Sequence, residues 1–96
     1  LPLAPQALDP LALARECLEL MMPTAREREV RLLGPEGAAP ALRADPMRLR
    51  QVLLNLLSNA IKHGRQGGSV VLRLSVVGAR VRLEVEDDGP GLDEAQ

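Results

Sequence analysis

The sequence predicts an α+β fold, a two-layer α/β sandwich, and three observations carry that prediction. Two Asp-Pro pairs, Asp9-Pro10 and Asp45-Pro46, each open a stretch of apolar residues at helical spacing. Two segments, 69–77 and 80–87, read as strands and meet at Gly78-Ala79, which suits a hairpin. Short runs at 30–33 and 41–44, set off by Gly and Pro, read as further strands. Helices and antiparallel strands in one short chain share a core by layering, which gives the sandwich.

The elements follow in order. Residues 1–7 are interrupted by Pro2 and Pro5 and are expected to be extended. Asp9 offers a capping carboxylate, and Pro10 suits the first helical position, where its missing N–H costs nothing. Leu11, Cys17, Leu18 and Met21 then recur at helical spacing. Pro23 should end or kink this helix, because it lacks a donor and its ring clashes with the preceding turn. Residues 24–29 could still continue it as a charged last segment. The run Gly34-Pro35-Glu36-Gly37 is expected to be a turn or loop. Asp45-Pro46 opens a second helix to His63, broken by Gly64 and Gly67-Gly68. After the hairpin, residues 88–96 read as a Gly-Pro-Gly turn followed by acidic residues.

Ninety-six residues suit a single domain. The chain has no Phe, Tyr or Trp, the side chains that usually contribute the largest pieces of core. A domain this small without them is expected to be marginal alone and to lean on something outside the sequence. Leu1 in place of an initiator Met, with no signal peptide, suggests a piece of something longer. A net charge of −1, with Arg and Glu interspersed, excludes the clustered basic surface of a nucleic-acid binder. No apolar run approaches the ~20 residues of a membrane span, so no membrane contact by this segment is expected. The lone Cys17 lies among Leu13, Leu18, Leu20 and Met21 and reads as a small core hydrophobe, not a reactive thiol.

The second helix is the most informative segment. With Asn55 set at zero and about 100° per residue, Asn59 falls near 40°, Lys62 near −20°, Gln51 near −40° and Arg48 near 20°. Ser58 falls near −60° and His63 near 80° on the same scale. The apolar residues Leu49, Leu53, Leu54, Leu56, Leu57, Ala60 and Ile61 fill the other side, with Val52 an apolar intruder on the polar one. Such a polar face can be ordinary solvated surface. Asn, however, is a poor helix former because its side chain competes for backbone hydrogen bonds. Two of them one turn apart cost stability with no evident structural return. An amide oxygen is a neutral hard ligand suited to Mg²⁺, and its NH₂ can donate to phosphate. Lys62 would add positive charge for phosphates, although alone it reads as a surface lysine. With no second His and no Cys/His cluster, His63 is not expected to bind metal.

Along 80–87, Val81, Leu83 and Val85 share one face and Arg80, Arg82, Glu84 and Glu86 the other. The same parity turns Asp87 to the core side, where an ionised carboxylate needs a donor. Asp88-Gly89-Pro90-Gly91 follows, and glycines allow close approach of the backbone to a ligand. One reading is an acceptor at the base of a pocket, suited to an exocyclic amine. The other is an acidic turn just beyond the strand.

Taken together, the two segments resemble a known family. The stretch 45–63, with Asp45, Arg48, Gln51, Asn55, Asn59, Ala60, Lys62 and His63 in place, resembles the N box of sensor histidine kinases. Residues 87–92, Asp87-Asp88-Gly89-Pro90-Gly91-Leu92, resemble their G1 box. The resemblance covers nearly the whole chain and implies a truncated Bergerat-type fold holding ATP between helices and sheet, over residues 1–96 as one partial ATP-binding domain. By position, Asn59 would coordinate Mg²⁺ with Asn55 assisting, and Lys62 would face the phosphates. His63 would stand beside the nucleotide. Asp87 would accept a hydrogen bond from the adenine amino group, and Gly89 and Gly91 would shape the adenine pocket. The family implies a cytoplasmic, homodimeric parent that could be membrane-tethered. Its partners would be a phosphoacceptor-histidine dimerisation domain and a response regulator.

Two departures qualify this. The chain stops at Gln96, without the family's F box and second glycine-rich box, so weak or no nucleotide binding by the chain alone is expected. It also holds no phosphoacceptor helix, and His63, inside the N box, is not a candidate for that role. Hydrolytic relatives of the gyrase or mismatch-repair type carry Glu where Asn55 stands, and an amide cannot act as their general base. An anti-sigma-factor serine kinase and a non-catalytic docking module remain as alternatives.

Overall fold

The computed structural model describes residues 6–78 and 80–87. The elements run β1 (Gln6–Leu8), α1 (Pro10–Glu27), β2 (Arg31–Gly37), β3 (Leu42–Ala44), α2 (Pro46–His63), β4 (Ser69–Val77) and β5 (Arg80–Asp87). β2, β4 and β5 form one sheet in that order, with β2 parallel and β5 antiparallel to β4. β1 and β3 form a separate antiparallel pair, Gln6 opposite Ala44 and Leu8 opposite Leu42. The two helices pack on each other and on one face of the larger sheet, which gives the expected two layers.

Both helix starts follow the sequence. Asp9 Oδ1 accepts from the Leu11 N–H at 3.0 Å, and Asp45 Oδ1 accepts from the Met47 N–H at 3.0 Å and the Arg48 N–H at 3.4 Å. These bonds satisfy donors that a helix N-terminus otherwise leaves unpaired.

Pro23 neither ends nor interrupts α1, which continues to Glu27. A proline inside a helix costs ~3 kcal/mol, and one local and one long-range tie on the following turn offset it. Ala25 there is buried and its carbonyl accepts from the Val30 N–H at 2.9 Å. Arg28, at the C-cap, donates through its guanidinium to the Lys62 carbonyl at 2.7 Å. Glu29 turns the chain out of the helix at φ 57.

The second departure is at Gly34-Pro35-Glu36-Gly37, expected as a turn or loop and found within β2. Among the described residues β2 pairs with β4 alone, and proline is tolerated in such an edge strand or at a bulge. The register with β4 shifts between Leu33 and Glu36, and the Gly34–Pro35 peptide is cis. Gly34 has φ 111, and a Cβ there would lie 2.5 Å from the Leu72 carbonyl oxygen. Glycine is thus what lets β2 approach β4.

The core is aliphatic, as the lack of aromatics requires. α1 contributes Leu13, Ala14, Cys17 and Leu18, α2 contributes Leu53, Leu57 and Ile61, and β4 contributes Val70, Leu72 and Leu74. Burial raises the Cys17 thiol pKa, reinforced by nearby Glu16 and opposed by Arg50, as suits an inert core group. On β5 the expected alternation holds: Val81, Leu83 and Val85 are half-buried and the charged residues between them exposed. Among the described residues the sheet's other face has no helix over it. There Arg73 ion-pairs with Glu36 at 3.1 Å and with Glu86. No helix among the described residues is long and apolar enough to cross a membrane.

Candidate functional site

α2 divides cleanly between two roles. Leu53, Leu57 and Ile61, spaced at i, i+4 and i+8, are completely buried. Asn55, Asn59, Lys62 and His63 are exposed, as are Arg48, Gln51 and Ser58. Val52 and Leu56 are exposed too; Leu56 lies at the margin of the apolar stripe, where packing on the sheet has ended. Neither Asn55 nor Asn59 hydrogen-bonds to another described side chain or backbone group through its amide. The helix thus carries two polar groups, costly to its own stability, that the described fold does not use.

The C-terminal turn of α2 is held from two sides. The Gly64 N–H donates to the Ala60 carbonyl at 2.8 Å, and Arg28 covers the Lys62 carbonyl. Arg28 is a contact that sequence reasoning missed. Nothing local signals a bond between residues so far apart in the chain. Lys62 and His63 lie in the last turn, where positive charge complements the helix dipole.

Asp87 ends β5 directly opposite Val70. Opposed residues of an antiparallel pair project to the same face, so Asp87 shares the helix-covered face with Val70, as its parity predicted. Its burial differs from the expectation: Val70 is fully buried and Asp87 is exposed. The reason is position. Asp87 is the last residue of the strand, at the rim where helix cover stops, so its carboxylate keeps access to water. The link 64–68 is short, so β4 begins close to the end of α2. Asp87 therefore stands at the same end of the domain as Lys62 and His63. Gly89 and Gly91 lie outside the described residues, as does the rest of the segment 88–96.

The surface grooves among the described residues include the following three. One, of about 330 Å³, is lined by Met47, Arg48, Arg50, Gln51 and Leu54 on the first half of α2. A second runs between α1 and β2, beside Leu18, Met22 and Pro35. A third, lined by Ser69, Val71, Arg73 and Glu86 on the outer face of the sheet, reaches Asp87 at the end of β5, so this terminal residue borders both faces. None of the three is lined by both the α2 amides and Asp87. The structure thus brings Asn55, Asn59 and Lys62 onto one exposed strip and sets Asp87 toward the strip's C-terminal end, and none of these three grooves joins them.

No group of three His, Cys, Asp or Glu side chains among the described residues could hold a metal ion. The hard oxygen donors on this face are the carboxamides of Asn55 and Asn59, with that of Gln51 and the Ser58 hydroxyl beside them. They fit an ion that is carried mainly by phosphates and water and takes one or two protein oxygens, which is the habit of Mg²⁺.

Comparison with known proteins decides the family. Residues 44–96, more than half of the chain, match the family model of the histidine kinase-, DNA gyrase B- and HSP90-like ATPases. The chain belongs to this family. Within it, the relatives of this ATPase-type domain are sensor histidine kinases. The sensor histidine kinase ZraS of Escherichia coli K12 is 41% identical over 91 residues, covering 94% of this chain and 20% of the relative. The C4-dicarboxylate transport sensor protein DctS of Rhodobacter capsulatus is 38% identical over 94 residues, covering 93% of this chain and 14% of the relative. Among solved structures, full-length ShkA in complex with AMPPNP superposes with a TM-score of 0.83 at 37% identity, covering 94% of this chain and 20% of that one. The ATPase-type domain therefore corresponds to a minor part of each of these proteins.

Proposed function

We propose that this domain holds Mg-ATP in a two-component sensor histidine kinase, for transfer of the γ-phosphoryl group to a histidine elsewhere in the parent protein. The observation that carries the reading is the exposed pair Asn55 and Asn59 on α2, with Lys62 one turn on and no partner for either amide among the described residues.

Each residue has a role suited to its chemistry. Asn59 offers its amide oxygen to Mg²⁺, and Asn55 assists at the metal or donates to a phosphate oxygen. Lys62 neutralises phosphate charge, helped by its place in a turn that Arg28 holds in shape. His63 lies alongside the nucleotide. Asp87 accepts from the adenine amino group, and Gly89 and Gly91 give the base its close backbone. Bound Mg²⁺ supplies charge neutralisation across the phosphates, so that positioning does most of the work. The bond from the γ-phosphorus to the bridging oxygen breaks and a bond to the acceptor imidazole nitrogen forms. ADP departs and the imidazole proton is released. A response-regulator aspartate then takes the phosphoryl group from the histidine. Water is a poor competitor here because Asn55 has no basic atom to deprotonate it.

The parent is expected to be a cytoplasmic homodimer whose dimerisation helices carry the acceptor histidine. By itself the 96-residue chain should bind Mg-ATP weakly, since the described residues offer the phosphates two amides and one lysine. Calorimetry with the isolated chain tests this, and tight binding would contradict it. In the parent kinase, Asn59→Ala should abolish metal-dependent autophosphorylation. Asp87→Asn should weaken nucleotide binding by confronting the adenine amine with an NH₂ group. Unchanged kinetics in both variants would remove the assignment.

A further inference from the structure

We infer that Arg28 and Glu29, at the corner between α1 and β2, are positioning residues of the nucleotide site: they fix the end of α2 and the link behind it, so that Lys62 meets the phosphates in a set geometry. This role rests on the nucleotide reading above and extends it to two residues that act through α2 without touching the nucleotide.

The end of α2 has little of its own to hold it. Ile61 is the last residue of the helix in the buried core, and no side chain from 62 to 69 belongs to that core. The C-cap, Gly64, leaves the helix in an extended conformation, φ −72 and ψ 156, in place of the left-handed turn that commonly closes a helix through its own backbone. The link then runs through Gly67 and Gly68, and nothing lies within 4 Å of where a Cβ on Gly67 would sit. Helix ends with unpaired carbonyls fray. Fraying here would carry the Lys62 ammonium with it.

The ties that prevent this come from one corner of the chain. The Arg28 guanidinium donates to the Lys62 carbonyl at 2.7 Å. The Gly67 N–H donates to the Glu29 carbonyl at 2.8 Å, and the Arg31 N–H donates to the Gly68 carbonyl at 2.9 Å. The Gln66 side-chain amide donates to the Glu29 carboxylate. Glu29 makes both of its contacts from φ 57, a left-handed conformation uncommon for any residue with a side chain. Glycine would take that conformation freely, but it would leave Gln66 without its acceptor. Such outliers persist where the surroundings over-determine them, and they gather at functional sites. The four ties converge on the stretch that carries and follows Lys62, whose exposed side chain makes no hydrogen bond or ion pair with a described residue. Its placement is therefore set by its backbone, and the backbone is set by the corner.

The test uses the parent kinase and measures equilibrium affinity for a fluorescent ATP analogue, well below the melting temperature of every variant. Arg28→Ala should weaken binding by about fivefold or more, part of what one charged hydrogen bond contributes, whereas Arg26→Ala on the same turn should stay within about twofold of wild type. Arg28→Lys keeps one donor for the carbonyl and should recover most of the loss. Gln66→Ala frees the link from the Glu29 carboxylate without touching α1 and should weaken binding in the same direction. A double-mutant cycle then asks whether Arg28 acts through Lys62: in a Lys62→Ala background the Arg28→Ala loss should shrink to less than about twofold. Equal losses in both backgrounds would overturn the inference. So would wild-type affinity in both Arg28→Ala and Gln66→Ala, even with a lowered Tm, because the corner would then serve stability alone. Asn59→Ala and Lys62→Ala report on the nucleotide reading. If both bind the analogue normally, that reading fails and the positioning role falls with it. If both bind weakly while Arg28→Ala binds normally, the positioning role alone is removed.

Discussion

Replacing both amides of α2 with alanine should stabilise the domain while removing its capacity to bind nucleotide. Asn55 and Asn59 are exposed and make no amide hydrogen bond to a described residue, so their loss leaves no buried group unpaired. What changes is helix propensity. Asn sits near the unfavourable end of the ordinary range, and each Asn→Ala exchange in an exposed helix interior returns about 0.5 kcal/mol. The two positions are adjacent on the helix surface, so additivity is only approximate, but the pair should gain about 1 kcal/mol. For a domain of this size that raises Tm by about 4–8 °C. The assay is thermal unfolding by circular dichroism of Asn55→Ala/Asn59→Ala against wild type, without nucleotide. The opposite sign would refute the reasoning. A drop in Tm would mean that the amides hold part of the fold, such as the segment after Asp87, and the case for them as ligand groups would lose its foundation.

Three further outcomes follow from the packing. Leu57→Ala empties a fully buried position in the middle of α2. It should cost about 2–5 kcal/mol, enough to unfold most of the chain in the same melting experiment. Arg28→Ala should lower Tm and speed amide hydrogen exchange at Gly64, by uncovering the Lys62 carbonyl, whereas Arg26→Ala, also in the last turn of α1, should leave exchange there unchanged. Cys17 gives a pH dependence: its folded pKa is raised above the ordinary 9.0 by burial, so the stability it contributes is fully present below that pH and is lost as pH rises through the folded value. Melting curves taken on either side of pH 9.0 should show this loss in wild type and a flatter response in Cys17→Ala.

The elements with local signals were legible and those fixed by distant contacts were not. Asp9-Pro10 and Asp45-Pro46 announce their helices because the capping bond spans two or three residues. The hairpin follows from period-two alternation, which β5 keeps up to Glu86. Pro23 leaves open whether α1 ends, kinks or continues over 24–29; it continues to Glu27, tied locally by the Val30 N–H and at long range by the Lys62 carbonyl, which no window around Pro23 contains. Gly34-Pro35-Glu36-Gly37 misleads for a related reason. A turn signal and a bulged edge strand use the same residues, and only the presence of β4 beside them selects the strand. The parallel pairing of β2 with β4 joins segments separated by a whole helix and has no short-range signature.

The site divides along the same line. The wheel placed the amides on the exposed side because one helix, packed on one face, needs no knowledge of its neighbours to have two sides. Asp87 was placed on the correct face by parity, yet its burial depended on where the helices end, which parity does not encode. Its exposure bears on mechanism. A carboxylate fully enclosed by protein would have to be paired inside the fold to remain ionised, and a paired acid would have little left to offer a ligand. At the end of β5, Asp87 is exposed among the described residues, which leaves its carboxylate available to a donor. The same holds for Asn55 and Asn59 on the open side of α2. In both elements the fold takes its stability from the inner residues, Leu53, Leu57 and Ile61 in α2 and Leu83 and Val85 in β5. The polar groups outside are left unspent, and their availability, more than their identity, is the physical basis for reading them as a binding surface.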